Sequence, residues 1–165
     1  MKIPALSLIA TFAFTTTAFA FWDIKNSEED VFGNVNVTAS SFGDNGSLIR
    51  FECGSSDEPF FVFLLRDSTG EIPDIPATFL HVDQNGEREE VDATLESWND
   101  KYVAVKVTDK AMLRRIAEHM MVAKKSIPVG ITIPATGGKM ADTFSPRGST
   151  AAGKIILNHC LPDSE

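Results

Sequence analysis

The strongest constraint on the fold is a series of short segments in which apolar and polar residues alternate. Alternation with a period of two buries one face of a strand and leaves the other in water. Turn residues separate the segments, which predicts an antiparallel meander rather than parallel strands joined by helices. Segment 60–65 is apolar throughout and predicts a central strand covered on both faces. The other predicted strands are residues 33–39, 48–53, 77–82, 88–95, 102–107, 127–133 and 140–144.

The pattern changes after Val107 to a period of 3.6 residues, which predicts an α-helix that Thr108 or Asp109 can cap. A second helix is predicted after Gly148, with Ser149 as its candidate N-cap. The inward faces are Met112, Leu113, Ile116, Ala117 and Met120 in the first helix and Ala152, Ile155, Ile156 and His159 in the second. We therefore expect a mainly β (α+β) fold, an antiparallel β-sandwich or open barrel of about seven or eight strands with two late α-helices.

Three local features sharpen this expectation. Asn85 and Gly86 are typical of a hairpin with a type I′ turn, which needs positive φ angles. Residues 40–46 form a second cluster of turn residues, which predicts a break between strands. Pro128 lies within an alternating segment and favours an edge strand, because proline cannot donate a ladder hydrogen bond.

The N-terminus predicts export. Lys2 is followed by an apolar and Thr-rich stretch that ends in Ala18, Phe19 and Ala20, a small-x-small cleavage site. We expect residues 1–20 to be a signal peptide and residues 21–165 to form a single exported β-rich domain, periplasmic or secreted. An N-terminal membrane anchor is the alternative. No other apolar run approaches the roughly 18 residues that a membrane-spanning helix needs, so we expect no stable span.

Two cysteines, Cys53 and Cys160, lie in the exported part of the chain. In an oxidising compartment such a pair most simply forms one disulfide. It would join an early strand to the end of the chain. Two buried free thiols are the alternative.

The chain carries a formal net charge of −8, which argues against nucleic acid and anionic lipid as partners. A basic protein partner remains compatible with this charge, although acidity can also serve solubility alone. Strand alternation places Glu90, Asp92 and Glu96 on one face, which we consider as a binding face for such a partner. A solvated sheet face is the alternative.

No arrangement of residues indicates catalysis, and we expect neither enzyme activity nor a cofactor or metal. The three histidines, His81, His119 and His159, are far apart in sequence and are interpreted as ordinary surface or boundary residues. Trp22 and Trp98 are of interest because binding surfaces favour tryptophan.

Several motifs together resemble those of small exported bacterial proteins. Trp22 closely follows the cleavage site, and the strand Leu48–Cys53 ends in cysteine. Phe144 begins a C-terminal segment with the pattern F-x-x-x-G-x-x-A, followed by a helix and Cys160. This scheme resembles the VasI-like proteins associated with type VI secretion and the invasion-associated protein B-like proteins. The resemblance implies a role at the bacterial envelope and implies no catalytic residues.

The main functional hypothesis is a non-enzymatic periplasmic accessory or interaction protein, secretion- or envelope-associated. The alternative is a periplasmic inhibitor of a basic cell-wall hydrolase of the lysozyme type. Such an inhibitor needs a protruding loop, for which residues 66–76 and 134–146 are candidates. A hydrolase that uses the carboxylate face is a third hypothesis. The sequence does not set the oligomeric state.

Overall fold

A computed structural model describes residues 21–27, 35–54, 58–66 and 72–162. The predicted signal peptide lies outside these ranges. The described residues form nine strands and two helices: β1 (Asp23–Asn26), β2 (Val37–Phe42), β3 (Leu48–Cys53), β4 (Phe60–Arg66), β5 (Ile75–Val82), β6 (Arg88–Asn99), β7 (Tyr102–Val107), α1 (Lys110–Val122), β8 (Ile127–Ile133), β9 (Gly138–Phe144) and α2 (Ser149–His159).

All nine strands belong to one antiparallel sheet with the order β1-β2-β3-β4-β7-β6-β5-β8-β9. The sheet curls into a half-barrel, and its two ends meet where Gly43 forms a bridge with Phe144. The Asp44 N–H also donates to the Thr143 carbonyl at 3.0 Å. The mainly β fold with two late helices is therefore confirmed. The single curled sheet corresponds to the open barrel rather than to two packed sheets.

The inner face of the curled sheet carries the main core, and both helices pack against it. Alternation along each strand sends large side chains inward, where they interdigitate with the helices. Phe61 and Phe79 pack edge to face with ring centroids 5.2 Å apart. The largest side chains in this core are Phe51, Phe61, Phe63, Phe79 and Phe144 from the sheet and Met112, Leu113, Ile116 and Met120 from α1.

Two anchors, one covalent and one buried, hold the first and last described segments to this core. Cys53 at the end of β3 is bonded to Cys160 after α2, with Cα atoms 5.6 Å apart, which confirms the predicted disulfide. Trp22 is buried, and its indole Nε1–H donates to the Ser145 carbonyl at 3.0 Å. Trp22 is thus a core residue and not part of a binding surface.

Some local expectations are wrong. β2 continues to Phe42, so the turn is shorter than the predicted 40–46. Gly86 has a φ of 85°, but no described residue other than glycine has a positive φ, so the turn is not type I′. β8 lies between β5 and β9 and is not an edge strand. Pro128 is tolerated because it lies beyond Val129, the last β8 residue in register with β5.

The second helix also differs in detail from the prediction. Its N-cap is Gly148, with a φ of 85°, and Ser149 is buried and donates its hydroxyl to the Pro146 carbonyl. His159 is exposed, because it lies on the side of α2 that faces away from the core. In α1, by contrast, Asp109 caps as expected and accepts from the Met112 N–H at 2.7 Å. No helix within the described ranges is long and apolar enough to cross a membrane.

The two helices approach each other most closely at Gly153. A Cβ atom there would lie 2.5 Å from the Ala117 carbonyl oxygen and 2.8 Å from Met121 Cγ. Because the oxygen belongs to the backbone, it cannot move aside unless α1 shifts as a whole. The glycine is therefore required by the packing of α1 on α2.

We expect Gly153→Ala to lower the free energy of unfolding by about 2 kcal/mol, because overpacking costs about 1–3 kcal/mol. This loss outweighs the gain of up to about 1 kcal/mol from better helix propensity. Urea unfolding measures the change. Asn158→Ala, an exposed site on α2, is the control for propensity and should be neutral or slightly stabilising. A Gly153→Ala variant more stable than the wild type would contradict this packing.

Candidate functional site

The outer face of β6 presents the carboxylates that the sequence placed together. Glu90 and Asp92 are exposed and Glu96 is half-buried, whereas Val91 and Leu95 between them point to the core. β6 pairs with β5 on one side and β7 on the other, so this row lies in the middle of the sheet. The row is therefore part of a broad surface rather than an edge.

These carboxylates have no ion-pair partner among the described residues. Across the register, Thr78 lies opposite Asp92 and Leu80 lies opposite Glu90. Lys106 is in register with Thr94 on β7, but its ammonium group lies 4.8 Å from the centroid of the Phe60 ring. Glu90 and Asp92 therefore face solvent outside any ion pair among the described residues, with Arg88 two residues from Glu90 on the same face.

The same face of β6 continues from Glu96 to Trp98, where the surface becomes aromatic. Trp98 and Phe60 are partly buried, with ring centroids 6.4 Å apart. With Tyr102 they pack on a small apolar cluster of Val62, Leu64 and Ala104, which is separate from the main core. We call Phe60, Trp98 and Tyr102 the outer aromatic cluster. The outer face of β6 thus has an acidic part and an aromatic part.

A second polar feature lies on the inner face. His81 on β5 and His119 on α1 are buried, and His81 Nε2 lies 2.6 Å from His119 Nδ1. Their interpretation as ordinary surface or boundary residues is therefore wrong. The alternation along β5 could have shown that His81 faces inward with Ala77 and Phe79. The helical period could likewise have placed His119 on the apolar face of α1. Their contact depends on how α1 packs across the sheet, which neither pattern contains.

The histidine pair borders a cavity of about 330 Å³ whose rim is charged. Glu89 is in register with His81 on the inner face, so it does not belong to the acidic outer face. Its carboxylate accepts from Arg115 Nε at 2.8 Å. The residues that line the cavity are His81, Asp83, Gln84, Glu89, Arg115, Glu118, His119 and Val122.

Both imidazoles are uncharged at neutral pH. Burial, reinforced by the charge of His119, lowers the pKa of His81 to about 4. Burial also lowers the pKa of His119, although Asp83 and Glu89 act in the opposite direction. In a neutral pair one nitrogen donates and the other accepts, so a single hydrogen bond links β5 to α1.

The described residues contain no group of three or more His, Cys, Asp and Glu that could hold a metal ion. The Asp83 carboxylate is engaged locally, since it accepts from the N–H groups of Asn85 and Glu87 at 2.8 Å each. Cys160 is in the disulfide, so it cannot join His159 as a metal ligand.

Asp142 is a buried carboxylate that the sequence analysis did not find. It accepts from the N–H groups of Asn45, Ser47 and Thr143 and from the Ser47 hydroxyl. Burial raises its pKa, but these hydrogen bonds outweigh burial and hold the pKa below its usual range. Its role is structural, because its partners lie where the two ends of the sheet meet.

One of the two segments considered as a protruding inhibitor loop, segment 134–146, is mostly regular structure. Segment 134–146 contains β9, and its turn at residues 134–137 is short. The other candidate, segment 66–76, is only partly within the described residues. Comparisons of the chain with protein-family models, with curated proteins and with solved structures found no match.

Proposed function

We propose that this chain is an exported, non-enzymatic binding protein of the bacterial envelope that docks a basic protein on the outer face of β6. The observation that carries this proposal is the unpaired and exposed position of Glu90 and Asp92 on the same strand face as Trp98. The face thus combines a negative field with an aromatic surface, the two components that protein interfaces use for encounter and for affinity.

The acidic part acts on the rate of association. The chain has a net charge of −8, and the carboxylates of Glu90 and Asp92 concentrate negative potential on this face. Charge complementarity raises association rates by roughly 10–1,000-fold at low ionic strength. This effect weakens with salt, because the Debye length is about 10 Å at 0.1 M.

The aromatic part acts on the lifetime of the complex. Tryptophan and tyrosine are enriched among residues whose truncation costs about 2 kcal/mol or more of binding free energy. Trp98 and Tyr102 rest on the buried side chains of Val62, Leu64 and Ala104. This packing holds the rings in place, so little conformational entropy is lost when a partner covers them.

Two features support a role without catalysis. His81 and His119 are buried and bonded to each other, and Cys53 and Cys160 are oxidised to a disulfide. The facing nitrogens of His81 and His119 are therefore occupied by each other, and neither thiol is a free nucleophile. The disulfide also supports export, because such bonds persist in oxidising compartments. The resemblance to VasI-like and invasion-associated protein B-like proteins supports an association with secretion or the envelope.

The test compares binding of the partner recovered from envelope extract, and of lysozyme as a basic probe, to wild-type and variant protein. We expect Glu90→Gln/Asp92→Asn to lower the association rate about tenfold at low salt and to flatten its salt dependence. We expect Trp98→Phe to raise the dissociation rate several-fold with little change in association. Surface plasmon resonance at 20 mM to 300 mM salt, on the order of the range over which screening sets in, measures both rates.

The control removes the same charge elsewhere. Asp74→Asn/Glu118→Gln changes two exposed carboxylates, one before β5 and one on α1. This variant should keep more than half of the wild-type association rate. Equal rates for the wild type and Glu90→Gln/Asp92→Asn at low salt would exclude the β6 face. Loss of lysozyme activity on binding would identify the partner class as a basic cell-wall hydrolase; binding of another protein without such loss would identify an accessory role.

A further inference from the structure

The contact between His81 and His119 is a buried polar link between the sheet and the C-terminal half of α1. His119 is followed by Met120 and precedes the end of α1 at Val122. His81 lies one residue from the end of β5. His81 Nε2 lies 2.6 Å from His119 Nδ1, so this contact joins the end of β5 directly to the end of α1. α1 also contacts the sheet through the exposed Arg115–Glu89 ion pair at 2.8 Å and through buried apolar side chains such as Met112 and Ile116.

The hydrogen-bonding of His81 favours one tautomer. Its Nδ1 is buried and has no hydrogen-bond partner. A bare acceptor is less costly there than an unsatisfied N–H. The ring nitrogens of the neutral pair are therefore best satisfied when His81 Nε2–H donates to His119 Nδ1. A proton added to His81 would place an N–H at Nδ1, where no acceptor is available.

Protonation of the pair has two distinct steps. One proton on His119 leaves a hydrogen bond, since its Nδ1–H can donate to an unprotonated Nε2 of His81, but it also moves the His81 proton to Nδ1, where the N–H has no acceptor. A second proton removes the last acceptor and places two N–H donors, each on a cation, against each other in a buried site. The second step therefore breaks the link between β5 and α1.

The charged groups around the pair only partly offset this effect. Asp83 follows β5, and Glu89 on β6 is held by Arg115 of α1. Glu118 of α1 lines the same cavity. On the other side of His119, Lys124 and Lys125 line a neighbouring cavity. From β8, the residue in register with His81 is the apolar Val129.

We propose that the His81–His119 contact is an acid-sensitive link that holds the C-terminal half of α1 on the sheet when both rings are neutral. When both rings are protonated, this half of α1 separates from β5 and the cavity between them, which already opens at the surface, widens. The proposal concerns the inner face of the sheet and does not depend on the docking role of the β6 outer face.

The direction of the pH effect follows from the lowered pKa values. An open state exposes both imidazoles and returns each pKa toward the ordinary histidine value of 6.5, whereas burial holds the pKa of His81 at about 4 in the closed state. Between these values the open state binds more protons, so acidification favours opening. Well above pH 6.5 both states hold neutral imidazoles and the link is fully formed.

The test is hydrogen exchange of the amides of α1 at pH 7 and pH 4, with EDTA present and intrinsic rates corrected for pH. We expect the protection of residues 115–122 in the wild type to fall at least about tenfold relative to α2, since a single linked proton changes an equilibrium up to tenfold per pH unit. His119→Gln keeps a neutral hydrogen-bonding group and should lose much less protection. His159→Gln, an exposed histidine of α2, should behave as the wild type.

Unchanged protection of α1 in the wild type at pH 4 would overturn the proposal, as would an equal loss in His119→Gln. A second measurement needs no variant at these sites. In the wild type, the imidazole NMR signals of His81 should titrate near pH 4, well below the ordinary histidine pKa of 6.5. Titration of His81 near pH 6.5 in the folded protein would also overturn the proposal.

Discussion

Replacement of Cys53 by serine is expected to lower the free energy of unfolding by about 4 kcal/mol, and replacement of Cys160 by a similar amount. The disulfide links residues separated by 107 positions. In the chain-entropy account, a closed loop of about 100 residues contributes about 4.7 kcal/mol by restricting the unfolded chain. Because domains of this size are stable by only about 5–15 kcal/mol, each variant should unfold at much lower urea concentration.

The double replacement separates the bond from the two side chains. Once one sulfur is absent the bond cannot form, so Cys53→Ser/Cys160→Ser should be little less stable than either single variant. Urea unfolding at pH 7 measures all three proteins, and reduced wild type provides a further comparison. Free thiols that titrate in denatured, non-reduced wild type would contradict the bond. Additive losses in the double variant would assign the effect to side-chain packing instead.

The second large effect is expected for Asp142→Asn, which should lower the free energy of unfolding by about 3 kcal/mol. Each buried polar group left unsatisfied costs about 1–3 kcal/mol. The Asp142 carboxylate accepts from Asn45 and Thr143 N–H groups at 2.9 Å and 2.7 Å and from both the N–H and hydroxyl of Ser47. An amide would turn an NH₂ group toward donors, so at least one of these groups would lose its acceptor.

The position of Asp142 explains why the loss should affect a whole region. A Cβ atom on Gly43 would lie 2.3 Å from a carboxylate oxygen of Asp142, so the glycine permits the close approach. Gly43 also forms the bridge to Phe144 that joins the ends of the curled sheet. Faster hydrogen exchange at residues 43–47 should therefore accompany the loss of stability.

Acid should weaken the wild type at this same site. The pKa of Asp142 is lowered in the folded state, so the stabilisation that its carboxylate provides is complete above the unfolded pKa and is lost as the pH falls through the folded pKa.

Asp92→Asn is the control for Asp142→Asn, because it makes the same substitution on an exposed carboxylate. It should change the free energy of unfolding by less than about 0.5 kcal/mol. Equal stability of the two variants at pH 7 would contradict the proposed role of Asp142.

The strand predictions succeeded where a clear alternation ends at turn residues. β3 and β7 have the predicted bounds, Leu48–Cys53 and Tyr102–Val107, because six residues of alternating polarity leave one choice of inward face. The prediction for β2 was less accurate. Ser40 and Ser41 favour turns locally, but pairing with Arg50 and Ile49 of β3 extends the strand through both.

The strand order explains most of what the sequence could not predict. β4 pairs with β7, and β5 pairs with β8 as well as with β6. Such pairings bring together segments that are distant in sequence, and their free energy comes from burying whole faces rather than from local preference. Pro128 is an example. The preference of proline for edge strands predicted that β8 is an edge strand, but β8 lies between β5 and β9, and the sequence does not show which strands are its neighbours.

Local pattern alone was sufficient for the mainly β fold, the two late helices, the inward face of each strand and the shared outward face of Glu90, Asp92 and Glu96. These properties follow from periodicity along a single segment, and the pairing of two cysteines followed from their number and the predicted export. Tertiary structure decided the closure of the sheet at Asp142, the place of Trp98 in the outer aromatic cluster and the contact of His81 with His119. Each of these depends on segments that meet only when the sheet curls around α1 and α2. A buried polar residue has the same local pattern whether or not it has a partner, and only the packed chain supplies the partner.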